Sequence, residues 1–170
     1  MGPVEINGLP AHVLLVHAVV ILLPLTCLLL VAAAVRPPWL RRMGLGLPGL
    51  ALVSLVLVPV TTHAGEWLEE RVPESSLVER HADLGDGLLP WAVAVFVMAV
   101  LLWWAGRRSL SSSDAGTDEA PAAARYAVPL RIASLVVALV VAVGCCTQIY
   151  RIGDSGAQAV WHDGFSTTPR

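Results

Sequence analysis

The stretch Leu9-Pro10-Ala11-His12-Val13-Leu14-Leu15-Val16-His17 leads without a charge into the apolar run Ala18 to Val35. From His12 to Val35 there are about 24 residues, roughly 36 Å of helix at 1.5 Å per residue, which is enough to cross a bilayer with some tilt. A helix apolar on every side cannot face water, so this segment commits the chain to the membrane. Polar side chains are expensive in hydrocarbon, and the two imidazoles at the mouth of the run mark it for attention.

The whole chain agrees with its first segment. Of 170 residues, 56% are apolar and 14% charged, and the mean hydropathy is +0.70, well above what a soluble domain with a wet surface shows. The net charge of −2 excludes nucleic acid as a partner. All eleven basic residues are Arg. Cys27, Cys145 and Cys146 fall inside apolar runs, offer no CxxC knuckle or disulfide framework, and read as small buried apolar side chains.

The first ten residues contain no Lys or Arg, so a cleavable signal peptide is not expected and the first helix should stay in the mature protein. Pro24 bends that helix, and Arg36-Pro37-Pro38-Trp39-Leu40-Arg41-Arg42 ends it. Three further apolar runs follow. The pattern predicts one transmembrane domain over 7–161, with crossings at about 12–35, 43–64, 88–105 and 127–150. An extracytoplasmic loop over 66–86 should contain a short helix starting near Pro73-Glu74-Ser75. A cytoplasmic linker spans 107–125, and a polar tail spans 162–170. The fold class is therefore all-α, an up-and-down integral membrane four-helix bundle.

Orientation follows from the arginines. Arg36, Arg41, Arg42, Arg107, Arg108 and Arg125 lie in the loops after crossings one and three, which places those loops in the cytoplasm and both termini outside. His12, His17, His63, His81 and His162 then share the outer side. A faint internal repeat points the same way: His12 to His17 resembles His81 to Asp86, each is soon followed by Leu-Leu-Pro, and Thr62 to Glu66 resembles Gly153 to Ala157. Two parallel hairpins about a pseudo-two-fold axis would set His12 opposite His81, His17 opposite Asp86 and His63 opposite Asp154.

The segment Gly8 to His17, the Thr62-His63-Ala64-Gly65-Glu66 end of crossing two, His81, and the Arg151-Ile152-Gly153-Asp154-Ser155-Gly156-Ala157 end of crossing four resemble a bacterial four-helix membrane domain, domain of unknown function 2231. The resemblance covers roughly residues 7 to 161 and implies fold and membrane location, with no established activity. Some members of that family look like b-type cytochromes and would carry a His near the position of Asp154.

Three readings of the histidines stand side by side. His12, His17, His63 and His81 are the candidate ligands of a haem b near the outer face, since axial histidines from different helices of a bundle hold haem in this way. Alternatively the same four hold zinc or copper, with Glu66, Asp86 or Asp154 as a carboxylate ligand or as a group orienting one. Neither reading lets His12 and His17 grip one ion together, because five residues on a helix are about 140° and about 7.5 Å apart. In the third, the histidines are interfacial hydrogen-bonding groups that hold a structural or accessory subunit together. No nucleophile or oxyanion donor is evident, so an enzyme is not the favoured reading. The expected partners are the lipid bilayer, a second copy of the chain or a membrane redox partner.

Overall fold

In hydrocarbon a backbone must hydrogen-bond to itself, and one continuous apolar segment achieves that only as a helix. The computed structural model, which describes residues 4–114 and 120–162, shows this outcome. A short hairpin of β1 (Glu5–Ile6) and β2 (Leu9–Pro10) is followed by α1 (Ala11–Val35), α2 (Pro37–Met43), α3 (Gly46–Glu69), α4 (Ser76–Asp86), α5 (Leu89–Asp114) and α6 (Ala120–Trp161). Four segments are long and apolar enough to cross a membrane. The chain is an all-α membrane bundle with a two-stranded ornament at its start.

The hairpin has a local cause. Asn7 and Gly8 both adopt positive φ, 51° and 77°, the conformations an Asn-Gly turn supplies at little cost. The turn pairs Glu5 with Pro10 and Ile6 with Leu9, and Ala11 N–H donates to Val4 O at 3.0 Å. His12 is thereby fixed as the second residue of α1. At the other surface helix, Ser75 caps α4 by accepting the Val78 N–H at 3.2 Å.

α1 packs on α3 and α6, and α5 packs on the same two, so α1 and α5 stand on one diagonal of the bundle and α3 and α6 on the other. The two diagonals bury matching residues. Val19, Leu23, Thr26, Leu30 and Ala33 are buried, and so, 69 positions later, are Leu88, Ala92, Val95, Ala99 and Leu102. Leu47, Ala51, Ser54, Val58 and Ala64 are buried, and so, 91 positions later, are Ala138, Ala142, Cys145, Ile149 and Ser155. The faint resemblance between the halves of the sequence is a repeat of core positions.

Some elements depart from the apolar pattern. α2 begins on Pro37-Pro38, residues whose fixed φ and missing N–H suit a first helical turn, and it lies against α1 and α5. α6 continues past Tyr150 to Trp161 because α4 packs along that extension. α5 continues to Asp114; residues 115–119 of the expected linker and 163–170 of the tail lie outside the described residues. Cys27 and Cys145 are buried, Cys146 is exposed, and all three are free thiols.

Small residues set how closely the helices approach, as expected where lipid removes the hydrophobic drive between them. Ala33, Ala51, Ala92, Ala99, Ala138 and Ala142 are all core residues. Thr26 and Ser54 meet at 3.2 Å between α1 and α3, each also bonded to its own helix at Leu22 O and Leu50 O. Among the described glycines the least room is at Gly144, where an added methyl would overlap the Trp91 indole. Gly144→Ala should therefore lower the stability of the detergent-solubilised protein by about 1–3 kcal/mol. Thermal unfolding followed by circular dichroism should show the loss, and it should shrink in a Trp91→Ala background.

Candidate functional site

Two imidazoles meet where α1, α3, α4 and α6 come together. His12 on α1 donates its Nδ1–H to Thr61 O on α3 at 2.9 Å. His81 on α4 donates its Nδ1–H to Ile152 O on α6 at 3.1 Å and to Ser155 Oγ, also at 3.1 Å, while the Ser155 hydroxyl donates to Ile152 O at 2.9 Å. The ring centroids are 6.2 Å apart and the planes cross at 87°.

Each ring lies on a glycine. A Cβ on Gly65 would come within 3.0 Å of His12 Cε1 and Nδ1, and one on Gly156 within 2.9 Å of His81 Cε1. Only a residue without a side chain allows an imidazole so near the helix backbone. The pairs Gly65 and Gly156, Thr61 and Ile152, and Ala64 and Ser155 obey the same 91-residue offset as the α3 and α6 cores, and His12 and His81 obey the 69-residue offset of α1 and α5. Each half of the chain thus builds one copy of the same unit. The unit is a histidine bonded to a carbonyl one helical turn before a glycine that accepts its ring.

The hydrogen bonds settle the protonation pattern of the neutral rings. A carbonyl only accepts, so the proton sits on Nδ1 and the lone pair on Nε2. Among the described residues neither Nε2 has a hydrogen-bond partner, and no fully buried side-chain nitrogen lacks one. Both Nε2 lone pairs are accordingly uncommitted. Arranged in this way, the pair can coordinate a metal or accept hydrogen bonds.

The other sequence candidates lie elsewhere. His17 is exposed on α1 and donates its Nδ1–H to Val13 O of its own helix at 2.6 Å. His63 is exposed and 3.4 Å from Glu66, which is exposed as well. Asp86 and Asp154 are exposed, and Asp154 accepts from Gln158 Nε2 at 2.8 Å. Helix rotation explains the separation: His17 is about 140° around α1 from His12, and His63 about 160° around α3 from Gly65. Among the described residues, no three His, Cys, Asp or Glu side chains converge where one metal ion could be held. The structure brings His12 and His81 together and leaves His17, His63, Glu66, Asp86 and Asp154 apart from them.

The glycine seats give a direct test. Gly156→Ala should cost about 1–3 kcal/mol by forcing the His81 ring off its seat, with most of the loss removed in a His81→Ala background. Gly153→Ala, which meets nothing within 4 Å, should cost little. Thermal unfolding of the four variants measures the coupling, and equal losses at Gly153 and Gly156 would refute the seat.

Comparison with known proteins places this geometry in a family. None of the curated proteins and none of the solved structures compared matches the chain. A family model described as predicted membrane protein, DUF2231, matches residues 8–169, a range that contains both histidines, both glycines and all four crossings. The chain therefore belongs to the DUF2231 family of predicted membrane proteins.

Proposed function

We propose that this protein lies in the cell membrane, holds a haem b between His12 and His81, and serves as an electron-transfer subunit. One observation carries the reading: two imidazoles, each anchored through Nδ1–H, stand 6.2 Å apart between centroids with both Nε2 uncommitted. His12 and His81 would each give the haem one imidazole nitrogen, at about 2 Å from its metal.

The number of available ligands favours haem over a bare ion. A porphyrin brings its own four nitrogens and asks the protein for axial ligands alone, whereas zinc usually takes at least three ligands from the protein. Two neighbouring histidines, with no third His, Cys, Asp or Glu gathered beside them among the described residues, suit the first requirement. Carbonyl partners on Nδ1 add to the fit, because they fix the tautomer and make Nε2 a better ligand. When bound, the haem would supply one-electron redox chemistry. The protein's own part is to hold two rings on four helices.

Arginine distribution supports an extracytoplasmic location for this site, with both termini on the same side. A redox partner would then approach from outside or within the outer leaflet. Alkaline phosphatase fused after Trp161 should be active in cells, as expected for an exported terminus.

The main test is an absorption spectrum of the purified, detergent-solubilised protein. A Soret band and a reduced α-band are expected, lost in His12→Ala and in His81→Ala and kept in His17→Ala and His63→Ala. Stoichiometric zinc or copper without a Soret band would replace haem by a metal site. Absence of both would leave the pair as an interhelical contact in an accessory subunit.

A further inference from the structure

The opposite end of the bundle carries a charge pattern that the histidine site does not use. Arg36, Arg42, Arg107, Arg108 and Arg131 are all exposed there. No Asp or Glu occurs between Ala11 and Gly65, between Gly87 and Arg108, or between Val128 and Gly153. Asp114 ends α5, and Asp118 and Glu119 follow it in the sequence, but Arg36 and Arg131 share one corner, where like charges repel and an external anion relieves that repulsion.

We propose that the corner formed by Arg36 and Arg131, where the end of α1 meets α6, binds the headgroup of an anionic phospholipid from the surrounding bilayer. Arg131 Nη2 donates to Val35 O at 2.8 Å, capping the end of α1 and fixing its guanidinium beside the next residue, Arg36. That bond uses one of five N–H donors, and the planar fork that remains matches a phosphate. Arg36 lies over the Trp39 ring at 5.9 Å from its centroid. Indoles settle at the level of the headgroups, so the two cations are held at phosphate depth.

Apolar surroundings distinguish a lipid from a free anion. Val35, Val128 and Ile132 flank the corner and are 45%, 64% and 58% exposed. Acyl chains can cover them and inorganic phosphate cannot. The same end is the one that the arginine distribution assigns to the cytoplasmic leaflet, whose surface potential is negative in membranes rich in anionic lipid.

The experiment is a lipid titration of the full-length protein in detergent, with bound lipid counted by native mass spectrometry. Phosphatidylglycerol should bind at least about tenfold more tightly than phosphatidylcholine of the same acyl chains. Arg36→Gln should weaken phosphatidylglycerol about fivefold, the effect of one cation at an anionic surface, and Arg36→Gln with Arg131→Gln should abolish the preference. Arg151→Gln, at the histidine end, should leave it unchanged. Equal binding of the two lipids, displacement by millimolar inorganic phosphate, or a preference undiminished by Arg36→Gln would overturn the proposal. Arg36→Gln decides the matter alone if the double variant fails to fold, since the Arg36 side chain makes no hydrogen bond among the described residues.

Discussion

A peptide group inside a bilayer has no water to bond, and this constraint governs the whole protein. It forces each crossing to be helical and makes each buried polar side chain among the described residues find a partner on a helix backbone. Thr26, Ser54 and Thr61 each donate to the carbonyl four residues earlier. His12 and His81 meet the same demand differently, by reaching to a neighbouring helix. A bond made within one helix holds nothing together, whereas one that crosses to another fixes their relative rotation. The imidazoles therefore act first as registers between α1 and α3 and between α4 and α6.

Duplication explains why those two registers meet. Matching buried positions set α1 and α5 on one diagonal and α3 and α6 on the other, so equivalent residues of the two halves face each other across the bundle's middle. A histidine near the start of each half is brought to the same place by one operation. One half alone would present a single imidazole and no pair. Function, on this reading, is a property of the repeat, which is also why the paired site needs so few specialised residues.

The four apolar runs made the fold legible from composition and length alone, because the membrane leaves no competing architecture for such segments. The pairing of His12 with His81 was legible through the internal repeat, and the alignment of Thr62–Glu66 with Gly153–Ala157 already matched Gly65 to Gly156. What those glycines do was not. A glycine in a membrane helix has many uses, and only the position of the ring against it reveals this one. His17 and His63 show the opposite difficulty. Sharing an end of the bundle says nothing about the face of the helix, and rotation through about 140° or about 160° sends each of them outward. α2 and the outer extension of α6 were hidden for a related reason: both are held by packing against other elements, α2 on α1 and α5, α6 on α4, and not by an apolar period of their own.

Ala64 stands in the first half where Ser155 stands in the second. The His81 N–H is shared between two acceptors, a carbonyl and a hydroxyl, whereas the His12 N–H has one. A ring held by a single bond can pivot about it, and a ring held by two resists. Two halves built on one plan have thus produced a stiff partner and a compliant one. Anything lodged between them would be aligned by His81 and followed by His12.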